Sequence, residues 1–521
     1  MIIILLQEHI MDQTVHLIDQ IMDNAKRMVL STSLSGNSSA AAVFYARDGH
    51  DLVFFTFNNS RKAEQIKFNP KVQATIWPEN EQGIRGIQIE GYCRQIKDAQ
   101  EIQKAHRLLL QTTTAFESLM DDPFLNAKKV TGYYRLKPTR IKYIDFQSQQ
   151  TFRWQEFPEN QKTIFSDLIQ ALTSKVSLWL RAVRAPFFTA TLVPVLLGSV
   201  IAYSDLHHLH AAGSWSWSVF LLILLGAIFS QAGTNLGNDY FDHTSHNDES
   251  NNQFSPFNGG SRIIQAGLLA PWKVFMGAVL CFLGTLAIGF YLNRMITGSF
   301  FAAGPLLWIG LVGVAIGFLY TGHPLRLGYH GWGEISIALG FGPLMVLGAH
   351  YVLTAPFYRA HNLPWEWQTP LLASIPVAIL IMLVVWINQF QDLPADKKVG
   401  KKTWVVRLAG FKDNHVDYEK PFLYYMYFNY FSFGFILMLG LIGFIKPDLS
   451  TPFVLISLLP VILVRFAVKQ GKEWLLLWNA PEADRRKLPY ELLRVNVSTI
   501  GVHLFTGLLL VLGYWLQILV Y

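Results

Sequence analysis

Two regimes of hydrophobic patterning divide the chain. Through residues 26–145 apolar and polar positions alternate, broken by turn residues, as half-buried strands do. "AAAVFYARDGHDLVFFTF" holds two such runs joined by a turn at Asp48-Gly49, and "KVQATIW" and "GIQIEGYCRQI" are two more. "DAQEIQKAHRLLLQ" has helical spacing, and "YYRLKPTRIKYIDF" closes the region with two strand-like pieces around Pro138. Short strands with one or two helices predict a small β-barrel. From about residue 185 the pattern becomes long apolar runs, of the roughly 18 residues or more that a membrane span needs. They lie near 186–204, 217–237, 272–293, 299–320, 333–354, 370–391, 421–445, 452–468 and 497–520. The expected organisation is two domains: β-rich at 1–150, a polar connector of some helical character at 151–180, and an all-α polytopic bundle of about nine transmembrane helices at 181–521.

Composition changes this picture little, because it averages over the break: 51% hydrophobic and 15% charged residues, with a mean hydropathy of +0.27. The net charge of +7 matters through its distribution. Loops after the second, fourth, sixth and eighth runs carry Arg262, Arg326, Lys397, Lys398, Lys401, Lys402, Arg407, Lys412, Lys472, Arg485, Arg486, Lys487 and Arg494. The opposite loops carry Arg294, Arg359 and Lys446. This is the positive-inside bias, so the N-terminal side is expected to be cytoplasmic and the basic charge calls for no nucleic acid. Cys93 and Cys281 are too few and too far apart for a disulfide framework or a thiolate metal site. The opening "MIIILL" is too short for a signal segment, and Met11 offers an alternative start.

Two apolar runs end in an unusual chemistry. The second closes on "NLGNDYFD", the sixth on "INQFQDLPADKK". By parity both ends face the N-terminal side. Asn235, Asp239 and Asp242 share one helical stripe, with Asn238 one turn before Asp242; Asn388, Asp392 and Asp396 form a second stripe. A charged side chain within the bilayer costs about 2.5–3.5 kcal/mol on insertion scales, so two such sets demand a purpose beyond ending a helix. Carboxylate and carboxamide oxygens suit Mg²⁺, which keeps waters and bridges carboxylates to phosphates. Arg262 in "NGGSRIIQAG", Arg326 in "YTGHPLRLGYHGWGE", and Lys397, Lys401 and Lys402 add cations nearby, of which Arg262 and Lys397 are the best placed. Metal and cations around carboxylates, beside apolar helices, suit a diphosphate carried on a lipid. In the N-terminal region, "TFNNSRKAEQIKFNP" ends a strand and opens a helix at Ser60, Arg61 and Lys62, a hydroxyl and two cations at a helix N-terminus that would cradle a phosphate; a solvated basic turn reads the same way.

The residues from about 180 to 520 resemble the UbiA superfamily of intramembrane prenyltransferases. The resemblance rests on "NLGNDYFDHTSHND" followed by "GGSRIIQAGLL", on "YTGHPLRLGYHGWGEISIALGFGPLMVLGAHYV", and on "INQFQDLPADKKVGKKTWVVRLAG". The first span, "RAPFFTATLVPVLLG", is similar to that of the 1,4-dihydroxy-2-naphthoate branch, whose enzymes serve menaquinone synthesis. Where the common motif places a third acid this chain has His246; the naphthoate type places it at Asp248, which takes that role here. "INQFQD" departs from the usual Asn-x-x-Arg-Asp, which leaves the naphthoate isomer open. The resemblance implies Mg²⁺ held by Asp239, Asp242, Asp248, Asp392 and Asp396. Asn235, Asn238, Asn388, Arg262, Lys397 and Arg326 then bind a polyprenyl diphosphate, and an aromatic acceptor is alkylated at the cytoplasmic face of a cell membrane.

The N-terminal pieces "DGHDLVFFT", "SRKAEQIKFNPKV", "RGIQIEGYCRQI" and "YYRLKPTRIKYID" resemble the pyridoxamine-phosphate-oxidase-like split barrel. Its members usually dimerise and hold FMN, with the phosphate near a loop equivalent to Ser60, Arg61 and Lys62; others hold haem, and some hold nothing. The implied expectation is FMN and a homodimer through the barrel, against a flavin reductase acting on a quinone, a haem binder or a dimerising module. For the membrane domain the alternatives are another acceptor, such as 4-hydroxybenzoate, a haem, a chlorophyllide or a glyceryl lipid, and a cation or proton transporter. A transporter would place its acids near the midplane rather than at one face. A phosphatidyl-alcohol transferase would carry a D-G-x-x-A-R type motif, which is missing.

Overall fold

The computed structural model describes residues 14–78, 85–112, 131–145, 152–251, 255, 257–412, 415–480 and 488–520. The Met1–Leu6 run, Met11 and the Arg485–Lys487 cluster lie outside the described residues. The chain divides into two compact units, one of residues 1–180 with 266–270, the other of residues 181–265 with 271–521.

The first unit is a closed barrel. Its strands are β1 (Arg27–Leu34), β2 (Asn37–Asp48), β3 (Asp51–Phe57), β4 (Lys71–Ile76), β5 (Arg85–Gln95), β6 (Thr131–Asp145) and β7 (Phe152–Glu156). They run in the order β3-β2-β1-β4-β5-β6, all antiparallel, and β3 pairs with β6 to close six strands; β7 adds to the outside of β6. Closure leaves few free edges, and alternation fills the inside: Met28 and Leu30 of β1, Val72, Ala74 and Ile76 of β4, Ile87 and Ile89 of β5 are buried together. Turn chemistry sets the registers. Ser35 and Gly36, both at positive φ, join β1 to β2, and Gly49 at φ 65° opens the two-residue turn between β2 and β3. β6 bulges at Thr139, between the pairs Glu90–Arg140 and Gly91–Pro138, and Pro138 has no amide to give to the ladder. A Cβ on Gly91 would lie 2.2 Å from the Lys137 carbonyl oxygen, so the close strand approach requires glycine there. One helix covers 14–24; α1 (Arg61–Phe68) follows β3, α2 (Ala99–Thr112) follows β5, and α3 (Ile164–Ala182) follows β7. The sheet therefore reaches past residue 150, and the segment read as a polar connector carries a strand and a 19-residue helix.

Among the described residues the regular structure of the second unit is helical apart from one short antiparallel strand pair. Eight helices among the described residues are long and apolar enough to cross a membrane: α4 (Ala185–His208), α5 (Trp217–Thr244), α6 (Pro271–Thr297), α8 (Gly333–Ala360), α9 (Gln368–Lys398), α10 (Glu419–Ile445), α11 (Pro452–Asn479) and α12 (Leu493–Val520). A ninth, α7 (Pro305–Leu319), is apolar throughout but has 15 residues. The count thus agrees with the nine apolar runs, one of them short. Helix α9 is the most enclosed. Its Trp386 is fully buried and donates its indole N–H to the Pro421 carbonyl at 3.1 Å. Small residues bring the helices close, as is usual in lipid: Gly198 of α4 lies where a Cβ would come within 2.2 Å of the Val346 carbonyl oxygen of α8. Helix α8 widens into one π turn, Gly340–Leu344, around Pro343.

Candidate active site

Helix α5 delivers the first polar set at its C-terminal end. Asp239 and Asp242 are buried, three residues apart on one face. Helix α9 runs on through Asp392 and Asp396 to Lys398, as the polar stripe requires. Between the two helix ends a set of hydrogen bonds joins what the sequence separates by about 150 residues. Lys401 is the pivot: its ammonium lies 3.5 Å from Asp242 and 3.6 Å from Asp396. It reaches there because α9 stops at Gly400, φ 75°, and the chain folds back so that the Lys401 amide donates to the Asp396 carbonyl at 2.8 Å. Burial works against the Lys401 charge, but Asp242 and Asp396 outweigh it and hold its pKa well above the usual lysine range.

The loop after α5 completes the arrangement. His246 takes a left-handed backbone, φ 60°, and opens a short helical turn, Asn247–Ser250. That turn buries Asp248 and Asn247; Asn247 donates to Asp396 at 3.1 Å. Asn251 and Asn258 both donate to one oxygen of Asp392, at 2.7 and 2.8 Å. Asp239 is paired with Arg184 and accepts from the Ser261 hydroxyl and amide. Arg262 turns its guanidinium onto the Asp248 carbonyl. Gly260, φ 75°, sits between Asp248 and Asp239: a Cβ there would lie 2.7 Å from one carboxylate and 3.2 Å from the other. Only glycine keeps that gap open. Burial, then the charges of Asp242 and Asp239, push the Asp248 carboxyl well above the usual carboxylate range. The Tyr329 hydroxyl donates to Asp242 at 2.9 Å, and burial followed by the Asp242 charge raises its pKa to about 12.

The five predicted carboxylates, Asp239, Asp242, Asp248, Asp392 and Asp396, therefore meet at one end of the bundle. Asn235 turns its amide to the Val183 carbonyl at 2.8 Å, and Asn388 accepts from Asn496 at 2.7 Å, so each is also held in place. Asn238 lies on the same half-buried face. Lys397 is not brought in: it is exposed, with its ammonium 3.2 Å over the Phe411 ring. Arg326 reaches the group only through Tyr329, whose ring its guanidinium covers at 3.7 Å. Sequence reasoning missed Arg184, Ser261, Tyr329, Asn247, Asn251 and Asn258; the polar run 246–258 was the signal for the three asparagines. Three cations, Arg184, Arg262 and Lys401, face five carboxylates, and the donors are all oxygen. That set suits Mg²⁺. Among the described residues no three His, Cys, Asp or Glu side chains converge into a ready-made metal cage.

Below this cluster a cleft of about 1040 Å³, counting its open mouth, runs between α4, α5, α6, α7 and α8. Its walls are apolar and include Gly226, Gly289, Gly310, Gly313, Gly317 and Gly340. Ala227, Gln231 and Thr234 line it from the α5 face that leads to Asn238.

Residues 176–478, more than half of the chain, match the UbiA prenyltransferase family. The chain belongs to that family. Its UbiA domain is 30% identical over 234 residues to a 2-carboxy-1,4-naphthoquinone phytyltransferase of Synechocystis, covering 44% of this chain and 66% of that protein. It is 31% identical over 240 residues to a 1,4-dihydroxy-2-naphthoate octaprenyltransferase of Bacillus subtilis, covering 45% and 66%. The chain thus spans just under two thirds of these relatives. Residues 15–145 match pyridoxamine 5'-phosphate oxidase, and the barrel is of that split-barrel type. Among solved structures, General Stress Protein 26 from Bacillus anthracis is 19% identical with a TM-score of 0.21, covering 27% of this chain and 95% of that one.

In the barrel, Ser60 caps α1 by accepting the Ala63 amide at 3.4 Å. The first amides of the helix, those of Arg61 and Lys62, have no intrahelical partner. Arg61 is exposed; Lys62 is half-buried, makes no ion pair among the described residues, and has its pKa lowered by that burial.

Proposed function

We propose that the UbiA domain transfers a polyprenyl group from a polyprenyl diphosphate to 1,4-dihydroxy-2-naphthoate, at the cytoplasmic face of the membrane, in menaquinone synthesis. One observation carries the reading: two carboxylate sets from α5 and α9 meet, tied through Lys401, and the same helix α5 lines an apolar cleft. A diphosphate would sit among the carboxylates through Mg²⁺ held by Asp239, Asp242, Asp248, Asp392 and Asp396. When bound, that ion neutralises the diphosphate and makes it a better leaving group. Lys401, Arg262 and Arg184 add positive charge where negative charge builds up as the allylic C–O bond breaks. Asn247, Asn251, Asn258 and Ser261 fix the carboxylates, so that little reorganisation is left for the moment of reaction. The cleft takes the prenyl chain and excludes water from the allylic cation. The acceptor ring then forms the new C–C bond, and its carboxylate leaves as CO₂. The naphthoate is favoured by the two relatives named above; their names apply to those proteins, and the acceptor of this chain is the point under test.

For the barrel we propose FMN, its phosphate at Ser60, Arg61 and Lys62, in a homodimer. Lys62 supports this as a cation half withdrawn from water, with no ion pair among the described residues, at amides that open a helix. A flavin there, held by Ser60, Arg61 and Lys62, would supply redox chemistry to a substrate once an external electron donor had reduced it.

The deciding experiment supplies washed membranes with labelled polyprenyl diphosphate and Mg²⁺, and with the naphthoate and 4-hydroxybenzoate side by side. The expected product is a demethylmenaquinone-type quinol with release of CO₂. Preference for the benzoate would overturn the acceptor, and transfer to neither would overturn the reading of the site.

A further inference from the structure

Helix α3 (Ile164–Ala182) precedes the first span and has two faces that do not match. On one, Asp167 is held at 2.7 Å by Lys71 and at 3.0 Å by the Tyr92 hydroxyl, both barrel residues, and Leu178, three turns further on, is 2% exposed. On the other, Phe165, Leu168, Ile169, Leu172, Val176 and Trp179 recur at three- and four-residue spacing, within about 120° of the helical wheel. This stripe is bare: Phe165 is 71% exposed, Leu172 54% and Val176 59%. Helices of soluble domains bury such a stripe against the core. Here the polar side faces the barrel and the apolar side faces away.

Three observations point to a lipid surface as what covers it. The helix ends at Ala182 and the first span begins at Ala185, so its last turn is tied to the bilayer by two residues. At 19 residues α3 is long enough to span, yet it is not one of the eight spanning helices, as its polar face requires. Its one carboxylate, Asp167, is already paired with Lys71, while Lys175 and Arg181 give it the basic character that anionic headgroups attract. A second copy of the chain would explain the bare stripe but not its direct run into the span.

We infer that α3 lies along the membrane surface, its apolar stripe in the headgroup–acyl boundary and its polar side against the barrel. It acts as an interfacial strap. The test uses the full chain in nanodiscs containing anionic lipid, with Cys281→Ala as background and the buried Cys93 kept. An environment-sensitive dye is placed through Leu172→Cys, Val176→Cys or, on the opposite side, Ser177→Cys. All three positions are exposed, so the substitutions leave the core intact. The expected result is quenching by shallow nitroxide lipids roughly threefold stronger at Leu172 and Val176 than at Ser177, with iodide in water showing the reverse order. Equal iodide quenching at all three sites would overturn the proposal. So would protection at Leu172 accompanied by oxidative cross-linking of Leu172→Cys between two copies, which would make the stripe a protein interface.

Discussion

The two candidate phosphate sites of this chain follow opposite electrostatic plans. The barrel loop offers two cations and helix amides, partly in water, and Lys62 makes no ion pair among the described residues. The membrane site offers five acids and three cations, mostly buried, so a bare phosphate would be repelled there. The first plan holds an anion directly. The second holds it only through added cations. A site that must bind and then release a diphosphate gains from the second plan, because the same metal that admits the substrate stabilises the leaving group.

The largest expected effect lies on the acid side. Asp239→Ala or Asp392→Ala should lower turnover at least about a thousandfold in membranes that still contain the folded chain, and EDTA should do the same to the wild type. Full activity in either variant would break the comparison, since the site would then not work through its acids. Next comes Lys401→Met. It leaves Asp242 and Asp396 facing each other without their shared cation, and breaking a buried ion pair costs about 3–5 kcal/mol. Turnover should fall roughly a hundredfold, and the Mg²⁺ concentration at half-maximal rate should shift; a variant with wild-type rate and metal dependence would remove Lys401 from the site.

The barrel should respond more weakly. Each charge-assisted contact to a phosphate contributes about 1.5–3 kcal/mol, so Lys62→Ala should weaken FMN binding to the full-length protein roughly ten- to a hundredfold by titration calorimetry. Burial lowers the Lys62 pKa, so the charged form is lost at a lower pH than for an ordinary lysine. FMN affinity should therefore fall as pH rises, starting below the ordinary lysine range. No heat on titration with FMN would end the flavin reading. The smallest effect is expected at Lys397→Ala: over Phe411 and exposed, it should change turnover less than about twofold, by analogy with other exposed charges. A large loss there would show that substrate draws Lys397 in.

Lys397 and Lys401 also show what a sequence can and cannot disclose. Helical periodicity was enough to put Asp392 and Asp396 on one stripe and Asn235, Asp239 and Asp242 on another, because those relations are local. It also marked the barrel strands, whose alternation reflects one wet and one dry face. Which lysine serves the acids depends on where α9 stops. One residue past Asp396, Lys397 is turned about 100° away, whereas Lys401 returns through the left-handed Gly400. Arg184, Ser261 and Tyr329 were missed for a related reason: each lies in a stretch that stood out in the sequence, but meets its carboxylate across 22 to 87 residues of chain, a relation that local spacing does not carry. For helix α3 the sequence disclosed a connector of some helical character but not its two faces. Its composition is polar enough for a connector, and only the spacing of its apolar residues separates a linker from an amphipathic helix.

The glycines of the cleft bear on which donors the enzyme accepts. At Gly289, Gly310 and Gly313 an added Cβ would meet no other atom within 4 Å. Between the larger side chains of the cleft those three positions offer no ledge by which to measure a chain, and isoprenoid tails of different length should pass them with similar ease. Length discrimination would then belong to whatever makes the donor, and this transferase would copy the cell's isoprenoid pool into its quinone. A leucine at Gly313 would install the missing ledge. If donors of four isoprene units are still used by that variant while those of eight are refused, the tail runs where the glycines leave room; unchanged use of both would place it elsewhere.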